Sequence, residues 1–153
     1  RLITEKYVLM FGWNTNSDLV QAAKQVSKKL GLPVYNIVPP PRKMFCGIPR
    51  KLDVGPCEFL SMIKNAEFVV TNSFHGTAFS TTFEKPYVSI VSGKADTRMH
   101  SLLAQLGLSD HLVTKDNIDV DKMLATDFTP VRDKKKALRQ TSFDYLKNAL
   151  KGL

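Results

Sequence analysis

Short apolar runs alternate with stretches of helical spacing from the first residues almost to the last. Tyr7-Val8-Leu9-Met10-Phe11 is a continuous apolar run, as in a strand buried on both faces. Leu19, Ala22, Ala23, Val26 and Leu30 then recur at helical spacing, with Ser17 or Asp18 offering the N-cap. Gly31 is placed to end that helix, and Pro33 follows where it cannot resume. Residues 34–38 read as a second strand, closing a β-α-β unit. Pro39-Pro40-Pro41 stops that strand and opens a long connection through Gly47, Pro49 and Gly55, of the kind that usually carries function or motion.

Pro56 suits a first helical position, and Phe59, Leu60 and Ile63 give the buried face of a helix ending near Asn65. Residues 68–71 read as the third strand, 74–83 as a helix and 87–91 as the fourth strand. The spacing predicts an amphipathic helix over 97–106, with Met99, Leu102, Leu103 and Leu106 inward and Gly107 as its stop. A short fifth strand at 112–113 is followed from about Val120 by mostly helical sequence that Pro130 breaks in two. The alternation predicts one three-layer α/β domain over residues 1–153, a mostly parallel sheet with helices on both faces.

At 153 residues the chain is long enough for one packed core. No apolar run approaches the roughly 20 residues that span a bilayer, and no signal-peptide profile opens the chain, so a cytoplasmic protein is expected, at most peripheral at the inner face of the membrane. The first residue is Arg1 in place of an initiator Met, which gives the expectation of a trimmed chain with a partner domain upstream. Lys and Arg exceed Asp and Glu by 22 to 14, a net charge of +8 that favours anionic partners without choosing among them. Many of these cations, Arg132, Lys134, Lys135, Lys136, Arg139, Lys147 and Lys151, lie near the C-terminus and read as a solvated helix face. No RNP motif, finger spacing or aromatic-interleaved basic stripe points to nucleic acid. Cys46 and Cys57 read as free thiols, and the sequence has neither zinc-ligand spacing nor an acidic metal cluster, so no metal or cofactor is expected.

Ligands of open parallel sheets bind beyond the C-terminal strand ends, near helix N-termini. Three segments fall there: residues 12–17, 72–77 and 92–98. The middle one, Asn72-Ser73-Phe74-His75-Gly76-Thr77, leaves a buried strand and enters a helix at once. Free N–H groups and the positive end of the helix dipole converge on such a turn, making an anion site. Gly76 allows a ligand or a neighbouring backbone to come close, and Ser73 and Thr77 add hydroxyl donors. His75 is the one histidine of three in such a place, and histidine is the side chain suited to proton transfer near neutral pH. A His that merely caps the helix or packs under a loop fits the spacing equally. His100 reads as solvent-facing or packed on its helix, and His111 as a loop residue.

The block Ala66-Glu67-Phe68-Val69-Val70-Thr71-Asn72-Ser73-Phe74-His75-Gly76-Thr77-Ala78-Phe79-Ser80 closely resembles the polysaccharide pyruvyl transferase family. So do Gly55-Pro56-Cys57-Glu58-Phe59-Leu60, Lys85-Pro86-Tyr87, Asp96-Thr97-Arg98-Met99, Ser101-Leu102-Leu103 and Leu106-Gly107-Leu108. The Ser-Phe-His-Gly element after a hydrophobic strand is the specific part; the flanks fit the family's C-terminal domain in pattern. A basic residue often follows Leu-Gly-Leu in that family, where this chain has His111.

The resemblance implies one half of a GT-B-like enzyme, in which two Rossmann-type domains face a cleft. Such enzymes transfer the pyruvyl group of phosphoenolpyruvate, as donor substrate, onto a sugar of a polysaccharide, its lipid-linked precursor or a glycan, forming a ketal and releasing phosphate. It implies that His75 contacts phosphoenolpyruvate and that the backbone from Phe74 to Thr77 holds its phosphate or carboxylate. The N-terminal domain of the same chain would supply much of the acceptor site, so this chain alone is expected to be inactive or nearly so. The chemistry asks for a held trianion, a proton for the enol carbon and exclusion of water. Arg98 and Lys94 are candidates to neutralise the anion, against a helix-start pair of Arg98 with Asp96 and plain surface exposure of Lys94. Glu58 opens a helix and complements its dipole, with a ligand-hydroxyl contact as the other reading. Trp13 either lines the acceptor cleft or fills the core edge. Two rival readings share this pattern: a nucleotide-sugar-binding domain of a GT-B glycosyltransferase, set back by the lack of a glycine-rich diphosphate loop, and a non-catalytic anion-binding domain.

Overall fold

A computed structural model describes residues 5–13, 16–37, 48, 54–91 and 97–151. Five parallel strands form one sheet in the order β2-β1-β3-β4-β5: β1 (Val8–Phe11), β2 (Val34–Ile37), β3 (Phe68–Thr71), β4 (Tyr87–Ile90) and β5 (Leu112–Val113). β1 pairs in register with both neighbours, Val8 opposite Val34 on one side and Phe68 on the other. Six helices connect and flank the strands: α1 (Ser17–Leu30), α2 (Pro56–Asn65), α3 (Phe74–Thr82), α4 (Thr97–Leu106), α5 (Val120–Leu124) and α6 (Thr129–Leu150). The three-layer parallel architecture is the one expected from the alternating pattern.

Strand alternation divides the core in two. Val8, Met10, Phe68, Val70, Val88 and Ile90 point to one face, where α1 and α5 cover them. Tyr7, Leu9, Val69 and Tyr87 point to the other, against α2, α4 and the root of α6. Every residue of β1 except Phe11 is fully buried, as are those of β3 and β4, which is why these strands read as unbroken apolar runs.

The helix boundaries have local causes. α1 is capped by Asn16, whose Oδ1 accepts from Leu19 N at 2.8 Å, so the cap lies one residue before the expected Ser17 or Asp18. Its end is a left-handed Gly31 (φ 66°) whose N–H donates to Ser27 O at 2.8 Å. Pro130 sits at the first positions of α6, so it starts that helix, and residues 125–128 make the break before it. A lysine-bearing surface helix thus follows a sheet whose interior is almost wholly aliphatic and aromatic.

Candidate functional site at the start of α3

The strand order sets where a ligand fits. From β1 the chain moves outward to β2, then returns past β1 to β3 and proceeds the other way to β4 and β5. The crevice between the C-terminal ends of β1 and β3 is therefore the topological switch point, where open α/β sheets bind ligands. Phe11-Gly12-Trp13 leaves β1 on one side of it, and Thr71-Asn72-Ser73 leaves β3 on the other.

The β3–α3 turn is pinned from below. Ser73 N donates to Thr71 Oγ1 at 3.1 Å, holding the N-cap residue extended before the helix begins. Ser73 is buried, and its side chain makes no capping bond to the first turn. The first helical N–H of α3 to find a helical carbonyl is that of Thr77, on Ser73 O at 3.0 Å. The amides of Phe74, His75 and Gly76 precede it and have no carbonyl within the helix to reach. At the start of α1, by contrast, the Asn16 side chain closes the first turn. The helix that begins beside β3 thus starts without a side-chain cap, with the positive end of its dipole at the switch point.

The expected site residues divide around this turn. His75 is exposed, one residue into the helix, with its ring edge-on to Phe74 at 5.9 Å. Arg98, exposed in the first turn of α4, lays its guanidinium over the Phe74 ring at 5.3 Å from the centroid. The Phe74 ring thus stands beside both the imidazole and the guanidinium, a juxtaposition that spacing did not reveal. Lys94, and the Asp96 considered as a partner for Arg98, lie outside the described residues.

Thr77 is placed differently from the expectation of a hydroxyl donor facing the ligand. It is 0% exposed, its hydroxyl donates to Ser73 O at 3.0 Å and lies 2.7 Å from Ser89 Oγ on β4. The reason is helical rotation: four residues after Ser73, Thr77 falls on the sheet-facing side. Thr81 continues the seam, 2.7 Å from the Tyr87 hydroxyl, whose pKa burial pushes up. This buried polar seam fixes how α3 lies on the sheet, and with it where His75 emerges.

Gly76 serves the same packing. A Cβ there would stand 2.9 Å from Thr71 Cβ and 3.0 Å from Phe11 Cδ1 and would collide with the Thr71 hydroxyl. The close approach it permits is therefore to β3 and β1. Phe11 in turn packs on Phe59 of α2 at 4.6 Å, and Phe59 on Phe79 of α3 at 5.9 Å, an aromatic column that holds both helices to the sheet.

Glu58 stands in the first turn of α2, its Oε2 only 2.7 Å from where a Cβ on Gly55 would be. Its carboxylate is folded back over the start of its own helix, the dipole-complementing position. Trp13 is 75% exposed, which excludes a core-filling role and leaves it at the rim of the switch-point crevice. His100 is exposed on α4. Cys57 is a free, exposed thiol, and Cys46 lies outside the described residues. Among the described residues no group of three His, Cys, Asp or Glu side chains is placed to hold a metal ion, and no helix is long and apolar enough to cross a membrane.

His111, read as a loop residue, is an internal tie. It is 2% exposed, with Nδ1 2.9 Å from Tyr87 O, Nε2 3.2 Å from Thr126 Oγ1 and its ring 4.4 Å from that of Tyr87. Burial holds its pKa below the ordinary 6.5. The unfolded chain therefore takes up the proton first as pH falls. The contribution of neutral His111 is complete above about pH 6.5 and is lost as the pH drops through the lower folded value. The melting temperature is expected to fall between pH 7 and pH 5, above the range where carboxylates titrate. A His111→Asn variant should lose that part of the pH dependence, and an unchanged profile would refute the assignment.

Comparison with solved structures gives the same fold. The UDP-GlcNAc 2-epimerase of Methanocaldococcus jannaschii, in complex with UDP-GlcNAc and UDP, is similar at a TM-score of 0.56 and 15% identity, over 91% of this chain and 46% of the epimerase chain. A second structure of that epimerase is similar at a TM-score of 0.57 and 15% identity, over 93% of this chain and 47% of the other. At that identity the likeness is one of fold, a Rossmann-like domain of GT-B type, and this chain spans about half the length of those proteins. No curated protein matches the chain in sequence. The family model for polysaccharide pyruvyl transferase matches residues 1–93, which include β1 to β4, α3 and the whole β3–α3 turn. The chain belongs to the polysaccharide pyruvyl transferase family.

Proposed function

We propose that this chain is the donor-side half of a pyruvyl transferase, holding phosphoenolpyruvate at the start of α3 and moving its pyruvyl group onto a sugar of a polysaccharide or its precursor. The observation that carries the reading is the open first turn of α3 at the switch point. There the uncapped first turn from Phe74 to Gly76, the exposed His75 and the Arg98 guanidinium beside Phe74 gather in one place. Amides and a guanidinium suit a phosphate and a carboxylate. An exposed imidazole beside them suits the proton transfer.

In this reading a proton from His75 adds to C3 of the enol, leaving an oxocarbenium-like centre at C2. A sugar hydroxyl attacks C2 and passes its proton back to the His75 imidazole. Phosphate then leaves C2 with its bonding electrons, and a second hydroxyl of the sugar attacks C2 to close the ketal, its O–H proton leaving with the phosphate. Arg98 and the α3 amides offset the negative charge that grows on the departing phosphate. Lys94 is proposed as a further cation on the same side. The acceptor lies against a second domain across the crevice, with Trp13 at its rim. That the chain spans about half of its structural neighbours supports such a partner domain.

A second reading has one observation behind it: the epimerase of the same fold is bound to UDP-GlcNAc and UDP. Here residues 12–17, Gly-Trp-Asn-Thr-Asn-Ser, lack the repeated glycines of a diphosphate-binding loop. The test is a thermal-shift titration with phosphoenolpyruvate, phosphate, UDP and GDP. Phosphoenolpyruvate is expected to raise the melting temperature well beyond equal phosphate, by about 2.7 kcal/mol of stabilisation at a hundredfold excess over Kd. A larger shift with UDP or GDP would transfer the site to a nucleotide-sugar.

A further inference from the structure

Taking the start of α3 as the donor site proposed above, we infer that Phe74 is a positioning residue whose ring holds the Arg98 guanidinium ready for the donor's anion. Phe74 opens α3 and is half-buried, yet it has no part in either half of the core. Phe79 and Phe83, further along the chain, do pack against the core. Nor does a helix start call for phenylalanine, since small polar or acidic side chains and proline are what serve a first turn. What the ring does meet is the His75 imidazole, edge-on at 5.9 Å, and the Arg98 guanidinium, 5.3 Å from the ring centroid.

The contact suits the task. Arginine is among the side chains with the most rotamer freedom, and fixing it at the moment of binding costs affinity. A ring beneath the charge holds it beforehand. Such a contact takes none of the five N–H donors with which a guanidinium recognises a phosphate or a carboxylate. The two helices are also tied from within. Thr77, three residues after Phe74, places its Oγ1 3.5 Å from Sδ of Met99, the residue after Arg98, and both are buried. The start of α4 is thereby laid against the start of α3, and Arg98 comes over the ring. Phe74 acts on the donor through Arg98.

The test is a double-mutant cycle on the 153-residue chain, titrated with inorganic phosphate and with phosphoenolpyruvate and read by NMR. In the free parent the ring current of Phe74 is expected to move the Arg98 Hδ protons upfield. Phe74→Leu should release that shift and Phe74→Tyr should keep it. Phe74→Leu should weaken the binding of both anions about two- to fivefold, the worth of an exposed cation–π contact, while Phe74→Tyr leaves it unchanged. In an Arg98→Ala background Phe74→Leu should have no further effect. Additive losses, a Tyr variant as weak as the Leu variant, or an Arg98 without a ring-current shift would overturn the proposal. So would a parent that binds neither anion. If the coupling holds for phosphate while phosphoenolpyruvate binds no better than phosphate, the donor reading fails and the positioning of Arg98 by Phe74 stands.

Discussion

Replacing His75 by alanine is expected to lower pyruvyl transfer by about 10²–10⁴-fold, the usual contribution of a positioned proton donor, while the domain stays folded. The argument is positional. His75 is exposed at the open end of α3, and no hydrogen bond ties its ring to the described residues, so its removal should change stability by less than about 0.5 kcal/mol. The two effects therefore separate. Measured in a form of the protein with a complete acceptor site, kcat at saturating phosphoenolpyruvate should collapse while the thermal melt stays in place. Asparagine at the same position keeps a hydrogen-bonding group but cannot deliver a proton, and it should fail nearly as badly. Unchanged turnover in either variant would remove His75 from the mechanism.

Gly76→Ala is the complementary case, a change next to His75 that acts through the fold. An added methyl would run into Thr71 of β3 and Phe11 of β1, both rigid parts of the sheet. Overpacking of this sort costs about 1–3 kcal/mol, and for a domain of this size each kcal/mol lowers the melting temperature by about 2–4 °C. The strain should also tilt the first turn of α3 away from β3 and carry His75 and its amides off target. Loss of both stability and phosphoenolpyruvate binding is expected, read by thermal melts with and without the ligand. A variant as stable as the parent would mean that α3 can shift freely and that the seam below it does not fix the site.

Most of the fold was legible because parallel strands buried on both faces announce themselves. Phe68-Val69-Val70-Thr71 and Tyr87-Val88-Ser89-Ile90 are wholly buried and read as strands at once. The slip at α1 has a simple cause: Asn16, Ser17 and Asp18 are three capping residues in a row, and only backbone geometry picks Asn16. The candidate site was legible as a turn and less so as a set of roles. Ser73, Phe74, His75, Gly76 and Thr77 share one turn of sequence, but helical rotation sends Thr77 to the sheet and His75 to solvent.

The face that α3 buries is small and polar, Gly76, Thr77, Ser80 and Thr81, matched to Ser89 and the Tyr87 hydroxyl across the interface. Apolar periodicity carries no sign of such a face. His111 was opaque for a similar reason: its partners, Tyr87 O and Thr126, are 24 and 15 residues away in sequence. In α6 the cations drew attention from the apolar residues between them, and only the exposure of Leu146 and Leu150 shows that this stretch has no packing partner among the described residues.

The central claim is that phosphoenolpyruvate docks on the open turn of α3, and an amide-resolved NMR titration tests it most directly. The amides of Phe74, His75 and Gly76 are expected to shift on adding phosphoenolpyruvate, saturably and at lower concentration than with inorganic phosphate, with Arg98 following. Saturable shifts that leave those three amides unmoved, or no shift at all, would contradict the account.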